Sequence, residues 1–246
     1  PPRLPEADEL GDCAAGLRLL ERLLEQLQDY SVLEPASGLD LLSLPEPDRL
    51  LVGQALGEGE VGILFTTDSL RIQETRLAGV WRVQSHDASG QLTRDAIEVA
   101  DIPRDVREIA FQGASVHIMT DPQPPADLLT ARSILAELNA QVTPWRPGDP
   151  PHVVNLTLLP HSASDLAYLE QQLGPGSLTI LSRGYGNCRI TATALKHCWW
   201  VQHFNSDDRL ILNSIEIADI PTAALAAQED IEDSAARLVE ILQALR

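Results

Sequence analysis

The sequence predicts an α+β protein built from two tandem homologous domains, each with helices packed on a mainly antiparallel meander sheet, plus a C-terminal helix. The first observation is an internal repeat. GVWRVQ (Gly79 to Gln84) recurs as HCWWVQ (His197 to Gln202), and AIEVADIP (Ala96 to Pro103) recurs as SIEIADIP (Ser214 to Pro221), both at an offset of 118 residues. The second observation is that each copy contains the same order of predicted helices and strands. A repeat this long indicates a duplicated domain, since solenoid repeats are much shorter.

Upstream, LGEGEVGIL (Leu56 to Leu64) matches LGPGSLTIL (Leu173 to Leu181) at an offset of 117. The second copy has therefore gained one residue between Leu181 and Arg189. We predict a first domain over residues 1–120, including a Pro-rich N-terminal arm, and a second over residues 121–246. The boundary is placed in TDPQPPAD (Thr120 to Asp127), whose prolines suit a semi-rigid spacer.

The first copy opens on an amphipathic helix over Ala14 to Leu27, because its leucines recur at spacings of three and four. Leu39 to Leu44 is an apolar run that predicts a short strand. Pro45 to Leu56 predicts a second helix, with proline in its first turn and Gly57 just beyond its end.

Four short segments rich in β-branched and aromatic residues follow, and they predict an antiparallel meander because the connections are brief. These strands are Glu60 to Thr66, Ser69 to Thr75, Gly79 to His86 and Gln91 to Val99.

The second copy repeats the plan. Leu128 to Ala140 predicts a helix that buries Leu129, His152 to Leu159 a strand, and Ser162 to Leu173 a second helix, followed by the second meander. Beyond Pro221 a strong amphipathic helix is expected. Since Trp200 and its strand neighbours make one sheet face too apolar to be left bare, we expect this C-terminal helix to cover that face.

Composition limits the partners. A formal net charge of −18 argues against nucleic acid and anionic membrane surfaces as partners. The chain has one lysine, Lys196, at a predicted hairpin turn, which disfavours Schiff-base or P-loop chemistry. Its three cysteines form no CxxC pair, and no apolar run is long enough for direct membrane insertion. A cytoplasmic protein is expected.

The most distinctive segment is RGYGNCR, residues 183–189. Its glycines permit left-handed backbone, and its arginines, asparagine and free backbone N–H groups would grip an anion or a peptide carboxylate. A tight hairpin with a glycine bulge is the alternative. The first copy shares only the terminal arginine, Arg71 for Arg189. The predicted partner-binding residues are Arg183, Gly184, Tyr185, Gly186, Asn187 and Arg189.

Other chemistry is less well supported. Cys188, His197, Cys198 and His203 have soft-metal ligand chemistry, but alternate strand residues point to opposite faces, so the four diverge. Neither central cysteine has a sequence signal for a neighbouring base, and GYG lacks the GxGxxG dinucleotide spacing. We predict no catalytic residues, no metal ligands and no cofactor.

Two acidic pairs occupy equivalent positions at the ends of the last strands: Glu98 with Asp101, and Glu216 with Asp219. Paired carboxylates suit acid–base catalysis. Their presence in both copies favours a structural role instead, in which they fix the corner after the strand by accepting backbone N–H bonds.

Several segments together resemble one known family. These are LGEGEV (Leu56 to Val61), VVNLTLLP (Val153 to Pro160), LGPGSL (Leu173 to Leu178), GYGNCRITAT (Gly184 to Thr193) and the tail from Ile220 to Leu238. They resemble the HupH/HyaF/HoxQ family of hydrogenase expression and formation proteins. The resemblance spans both copies, from about the second helix to the C-terminus.

The resemblance implies an accessory or chaperone-like role in assembling a membrane-bound uptake [NiFe]-hydrogenase. The implied partners are the precursor of the iron–sulfur small subunit and other hydrogenase maturation proteins. Two alternatives stay open: a nickel-incorporation factor for the large subunit, and a domain that binds a small molecule or anion with weak enzymatic activity at the Gly-rich loop. The family supplies no agreed catalytic residues, so the site residues rest on the sequence itself.

Overall fold

The computed structural model describes residues 13–31, 37–67, 69–119, 121–183 and 186–245. The predicted N-terminal arm lies almost wholly outside these residues. Two compact units make up the chain: Pro1–Arg104 with Leu225–Arg246, and Asp105–Ala224. We call them unit 1 and unit 2. None of the described helices combines the length and the apolar character that crossing a bilayer requires.

The described residues of unit 1 form three helices and five strands. The helices are α1 (Ala14–Asp29), α2 (Glu46–Leu56) and α6 (Gln228–Ala244). The strands are β1 (Ser37–Asp40), β2 (Val61–Phe65), β3 (Leu70–Glu74), β4 (Val80–His86) and β5 (Leu92–Val99). They pair antiparallel in the order β1-β5-β4-β3-β2.

Unit 2 repeats this arrangement after the short helix α3 (Arg104–Ile109). Its longer helices are α4 (Ala131–Val142) and α5 (Ala163–Leu173). Its strands are β6 (His152–Asn155), β7 (Pro175–Ser182), β8 (Asn187–Thr193), β9 (Cys198–Phe204) and β10 (Leu210–Ile217). They pair antiparallel in the order β6-β10-β9-β8-β7.

The two strand orders are equivalent, so the predicted α+β fold with two homologous repeats is confirmed. Side-chain detail repeats as well. The indole N–H of Trp81 donates to the carbonyl oxygen of Ala100 at 3.0 Å, and that of Trp199 donates to Ala218 at 3.2 Å. Each buried tryptophan therefore donates its indole N–H to a backbone carbonyl just beyond the end of the neighbouring strand, β5 or β10.

The segment that follows the last strand of each repeat belongs to the unit formed by the other repeat and packs within that unit. In unit 2, Phe111 lies edge-on to Trp199, with ring centroids 4.9 Å apart. In unit 1, Ile231 of α6 lies against Gly79. His197 is the counterpart of Gly79 in the second copy, and Phe111 also contacts its ring, with centroids 5.5 Å apart.

The expectation that the C-terminal helix covers the Trp200 face is therefore wrong. In unit 2 this face packs under α4 and α5, whose buried side chains include Leu135, Leu138 and Leu169, with Trp200 against their cluster. The apolar stripe of α6 instead joins the core of unit 1. That core combines α1, α2, the sheet and α6, through residues such as Leu20, Leu23, Leu51, Val52, Val80, Ile97, Ile231 and Leu238.

Three local expectations also need correction. The apolar run 39–44 is strand only as far as Asp40, whose carboxylate accepts the N–H groups of Leu42 and Ser43 and turns the chain. The strand starting at His152 ends at Asn155, because the asparagine side chain caps a 3-10 turn over Leu156–Leu158. Leu129 precedes α4 and is 67% exposed.

Two buried aspartates at equivalent positions tie each repeat's helices together. Asp48 of α2 accepts the backbone N–H of Gly16 at 2.5 Å, near the start of α1. Asp165 of α5 accepts those of Thr130 and Ala131 at 3.0 and 2.8 Å, at the start of α4. The first N–H groups of a helix have no partner within the helix, so each carboxylate satisfies donors that packing would otherwise leave unpaired.

Candidate functional site

The Gly-rich segment connects β7 to β8 at one end of unit 2. Gly184 and Tyr185 lie outside the described residues. Arg183, Gly186, Asn187 and Arg189 are all exposed to solvent. A shallow groove of about 300 Å³ lies beside this segment. It is lined by eight residues: Leu181, Ser182, Arg183, Asn187, Cys188, Arg189, Phe204 and Asp208. We call this the loop groove.

Backbone conformation explains one glycine of the segment. Gly186 has φ of +95°, a left-handed conformation that favours glycine. A Cβ at this position would also lie 2.9 Å from the carbonyl oxygen of Phe204. The chain can therefore re-enter β8 beside β9 only with a glycine here.

Side chains on β8 are held by the neighbouring turn. Asn187 donates its amide N–H to the Asp208 carboxylate at 2.7 Å. The guanidinium of Arg189 lies 5.9 Å from the centre of the Phe204 ring, a cation–π distance, and the Arg189 side chain is exposed. Arg189 is thus partly preorganised, whereas Arg183 directly follows the end of β7 and is exposed.

In the first copy, Arg71 is the counterpart of Arg189. It lies 3.7 Å from the Glu58 carboxylate, and both side chains are largely exposed. An exposed pair at this distance contributes little stability. The two copies therefore share a cation at this place, and they differ in the glycine-containing connection beside it.

The cysteines and histidines of this region are spread over the sheet. Cys188 Sγ lies 3.9 Å from His203 Nε2, whereas Cys198 is fully buried in the apolar cluster below α4 and α5. Burial raises the pKa of Cys188 to about 11 and that of Cys198 to about 12. Both thiols stay protonated at neutral pH, which makes them poor nucleophiles.

His197 lies apart from them, with its ring 4.7 Å from that of Trp145 and 5.5 Å from that of Phe111. Burial lowers the pKa of His197, and the charge of Lys196 lowers it further. Within the described part of the chain, no three His, Cys, Asp or Glu side chains are grouped so that they could hold a metal ion.

The acidic pair of the first copy lies at the end of β5. Glu98 is buried and accepts a hydrogen bond from Arg94, four residues earlier on the same strand. Asp101 accepts the N–H of Ile102 at 2.7 Å, while its own N–H donates to the Tyr30 hydroxyl at 2.8 Å.

The acidic pair of the second copy makes different contacts. Glu216 accepts the hydroxyl of Ser214 at 3.0 Å, and Asp219 pairs with Arg107. The carbonyl of Asp219 also accepts the indole N–H of Trp199 at 3.2 Å. All four acids are thus held by neighbouring side chains or backbone at the strand ends.

Unit 1 contains a larger pocket that was not predicted from the sequence. It has a volume of about 800 Å³ and is lined by four arginines, which come from α2, β3, the β3–β4 turn and β4. No local motif joins residues on four separate elements. The only usable signal was comparative, since most of these positions are apolar in the second copy.

Comparison with known proteins gives a consistent assignment. The family model for the C-terminal conserved region of the HupH hydrogenase expression protein matches residues 13–110 and again residues 128–245. The chain is 49% identical over 247 residues to the hydrogenase expression/formation protein HupQ of Azotobacter chroococcum, covering 99% of this chain and 87% of that protein.

More distant relatives agree. The hydrogenase expression/formation protein HoxQ of Cupriavidus necator is 44% identical, over 99% of this chain and 86% of its own. The hydrogenase-1 operon protein HyaF of Escherichia coli is 36% identical, over 97% and 85%. Among solved structures, the hydrogenase expression protein HupH of Thiobacillus denitrificans matches 45% of this chain and 92% of its own with a TM-score of 0.43 and 24% identity.

Proposed function

We propose a function from one premise: this chain belongs to the family of HupH hydrogenase expression proteins. It acts in the assembly of a membrane-bound uptake [NiFe]-hydrogenase, by holding the precursor of the iron–sulfur small subunit rather than by catalysing a reaction. The observation that carries the role is the family match, which covers both repeats and relatives named for hydrogenase expression and formation.

We place the contact at the loop groove. Arg183 and Arg189 present planar guanidinium groups that donate paired hydrogen bonds to carboxylates or backbone carbonyls, and arginine is enriched among residues that dominate interface energies. Phe204 and Leu181 add apolar area between them. A groove with exposed cations beside apolar side chains suits an extended segment of a partner polypeptide.

The proposal assigns this work to the cytoplasm. Cys188 and Cys198 are buried and form no disulfide, which is the usual state of thiols in a reducing compartment. A precursor that awaits its cofactors there needs a protein that covers its exposed surface until it is complete.

The test is capture of the precursor from cells that produce the hydrogenase. Arg183→Ala with Arg189→Ala removes both guanidinium groups and should weaken capture of the small-subunit precursor by about thirtyfold, as expected for losing anchors worth about 2 kcal/mol. Arg18→Ala with Arg22→Ala is the matched control, since these arginines are exposed on α1. It changes the net charge equally and should capture as the wild type does.

Two results would count against the proposal in different ways. If the folded groove variant captures precursor at the wild-type level, the contact lies elsewhere on the protein. If the wild-type protein captures neither hydrogenase subunit nor another maturation protein, the role in assembly is refuted.

A further inference from the structure

The large pocket of unit 1 opens beside α2 and the sheet face that this helix covers. Four arginines line its volume of about 800 Å³: Arg49, Arg71, Arg76 and Arg82. This volume lies within the range of pockets that bind small molecules or short peptides. Such a grouping is unusual in a chain with 18 basic and 36 acidic residues.

Arg82 lines the pocket from β4 and is held in place by an ion pair. Its Nε and Nη2 donate to the two carboxylate oxygens of Asp95 at 2.9 and 2.7 Å. The Asp95 side chain is 2% exposed and that of Arg82 is 35% exposed. This bidentate pair sets the plane of the guanidinium, and one amino group, Nη1, does not participate in it.

The other three arginines of the pocket are not held by a short ion pair of this kind in the described part of the chain. Arg71 lies 3.7 Å from the Glu58 carboxylate, and both side chains are largely exposed. Within the described ranges, neither Arg49 nor Arg76 forms an ion pair with an acidic side chain. A ligand could therefore bind the guanidinium groups of Arg49, Arg71 and Arg76 without displacing a strong ion-pair partner.

The second repeat shows what the same framework becomes with apolar side chains. The counterparts of Arg82 and Asp95 are Trp200 and Asn213, and the indole N–H of Trp200 donates to the Asn213 side chain at 2.6 Å. The counterparts of Arg49 and Arg76 are Leu166 and Ala194. Trp200 and Leu166 both pack against the apolar cluster of unit 2.

The cation-lined form is thus not required by the fold. A buried ion pair is commonly no more stabilising than well-packed apolar side chains of similar volume, and the second repeat has that apolar alternative. Stability alone gives no reason for unit 1 to keep the pair and leave the pocket open.

We infer that the unit 1 pocket is a binding site for a carboxylate-bearing ligand. Guanidinium groups match the planar carboxylate with two parallel hydrogen bonds. Four acidic side chains also line the pocket and balance the formal charge of its arginines: Glu46, Glu58, Glu74 and Asp95. This balance disfavours a phosphate ester, which concentrates two charges on one group, whereas each carboxylate carries only one. The carboxylate comes from a free organic acid or from a short peptide segment. This inference stands independently of the proposed function.

The experiment is an amide NMR titration of the full chain with four probes. These are citrate, inorganic phosphate, the peptide acetyl-Gly-Glu-Leu-Glu-Gly-amide and its counterpart with glutamine in place of both glutamates. Citrate or the glutamate peptide should shift the amide resonances of Gly53, Gly57 and Arg76 in a saturable way. The glutamine peptide should leave them in place. If the glutamate peptide binds more tightly than citrate, the natural carboxylate belongs to a polypeptide. If citrate binds more tightly, the natural ligand is a free organic acid.

Two variants locate the site. Arg49→Ala with Arg76→Ala should weaken binding by about tenfold or more, because charge-assisted hydrogen bonds are lost. Arg82→Trp with Asp95→Asn installs the pair found in the second repeat and should abolish binding in a folded protein. Arg18→Ala with Arg22→Ala should bind as the wild type does.

The inference is overturned by any of three results. The first is the absence of a saturable effect of the carboxylate probes on these resonances. The second is tighter binding of inorganic phosphate than of either carboxylate probe. The third is wild-type affinity in the Arg49 and Arg76 double variant.

Discussion

Ile231 packs so closely on Gly79 that a Cβ atom placed on the glycine would lie 2.5 Å from the isoleucine Cγ1. Gly79 also has φ of +75°, which disfavours any residue with a side chain. The contact joins the turn before β4 to the first turns of α6, elements separated by most of the sequence. It is where the C-terminal helix reaches the sheet of unit 1.

Gly79→Ala should therefore destabilise unit 1 by about 3 kcal/mol, combining the backbone cost with overpacking against Ile231. The measurement is urea unfolding. Gly90→Ala is the control, because Gly90 has φ of +82° but open space around its Cβ position, so it carries the backbone cost alone. Equal losses for the two variants would show that the contact with α6 contributes nothing.

Asp165 should support stability mainly as a carboxylate. Burial by itself raises the pKa of Asp165, but hydrogen bonds from the backbone N–H groups of Ser162, Ala131 and Thr130 outweigh it and hold the pKa well below its usual range. Asp165→Asn should cost about 3 kcal/mol at pH 7, since an amide N–H₂ would face backbone donors.

A depressed folded pKa contributes stability that is complete above the unfolded value of about 3.9 and declines as the pH falls below it. The difference between wild type and Asp165→Asn should therefore narrow by about 1 kcal/mol at pH 3 in urea unfolding. Asp127→Asn, at an exposed position, should show little effect at either pH. A difference that is constant from pH 7 to pH 3 would contradict the assignment.

Glu74 should have the opposite pH dependence. Burial raises its pKa to about 7, the charges of Glu60 and Asp230 add to the effect, and the hydrogen bond from the Gly79 N–H opposes it. The folded state then holds a proton that the unfolded chain releases above about pH 4.3, so stability falls as the pH rises through that window to about 7.

Glu74→Gln keeps an acceptor for the Gly79 N–H and removes the ionisation. Relative to the wild type, it should gain about 2 kcal/mol in the free energy of unfolding between pH 5 and pH 8. Urea titrations at the two pH values measure this gain. Parallel behaviour of the two proteins would mean that Glu74 titrates normally.

The Arg82–Asp95 pair should be strongly coupled. Arg82→Met leaves a buried carboxylate without its cation and should cost about 2 kcal/mol, a value reduced because Arg82 is one-third exposed. Arg82→Met with Asp95→Leu should recover most of that loss. A double-mutant cycle measures the coupling, and additive single effects would show that the two side chains act independently.

The repeat made much of this fold predictable. Matched Trp81 and Trp199 require matched strand faces, and the meander follows from short connections between β-rich segments. The position of α6 was not predictable, because an amphipathic stripe specifies that a helix face is buried but not which sheet buries it. Leu129 satisfied the helical spacing, yet the backbone N–H groups that Asp165 accepts begin at that residue, so α4 starts later.

The candidate sites divide in the same way. The exposed arginines beside the loop could be found because a glycine-rich insertion marks them. Asp165 carried a weaker signal, the Ser162-x-x-Asp165 spacing of a capping box, which the structure contains. The arginines of the unit 1 pocket had no local signature, since Arg49, Arg76 and Arg82 meet only through the tertiary fold.

The place of α6 in unit 1 has a consequence for the order in which a ribosome makes the chain. Residues 1–104 emerge first, but the helix that completes their core is translated only after the whole of residues 105–224. At about 5–20 residues per second this interval is roughly 6–24 s. During it the apolar surfaces of Leu20, Leu23 and Val80 lack their final cover. The nascent first repeat thus exposes apolar surface of its core until α6 has been translated.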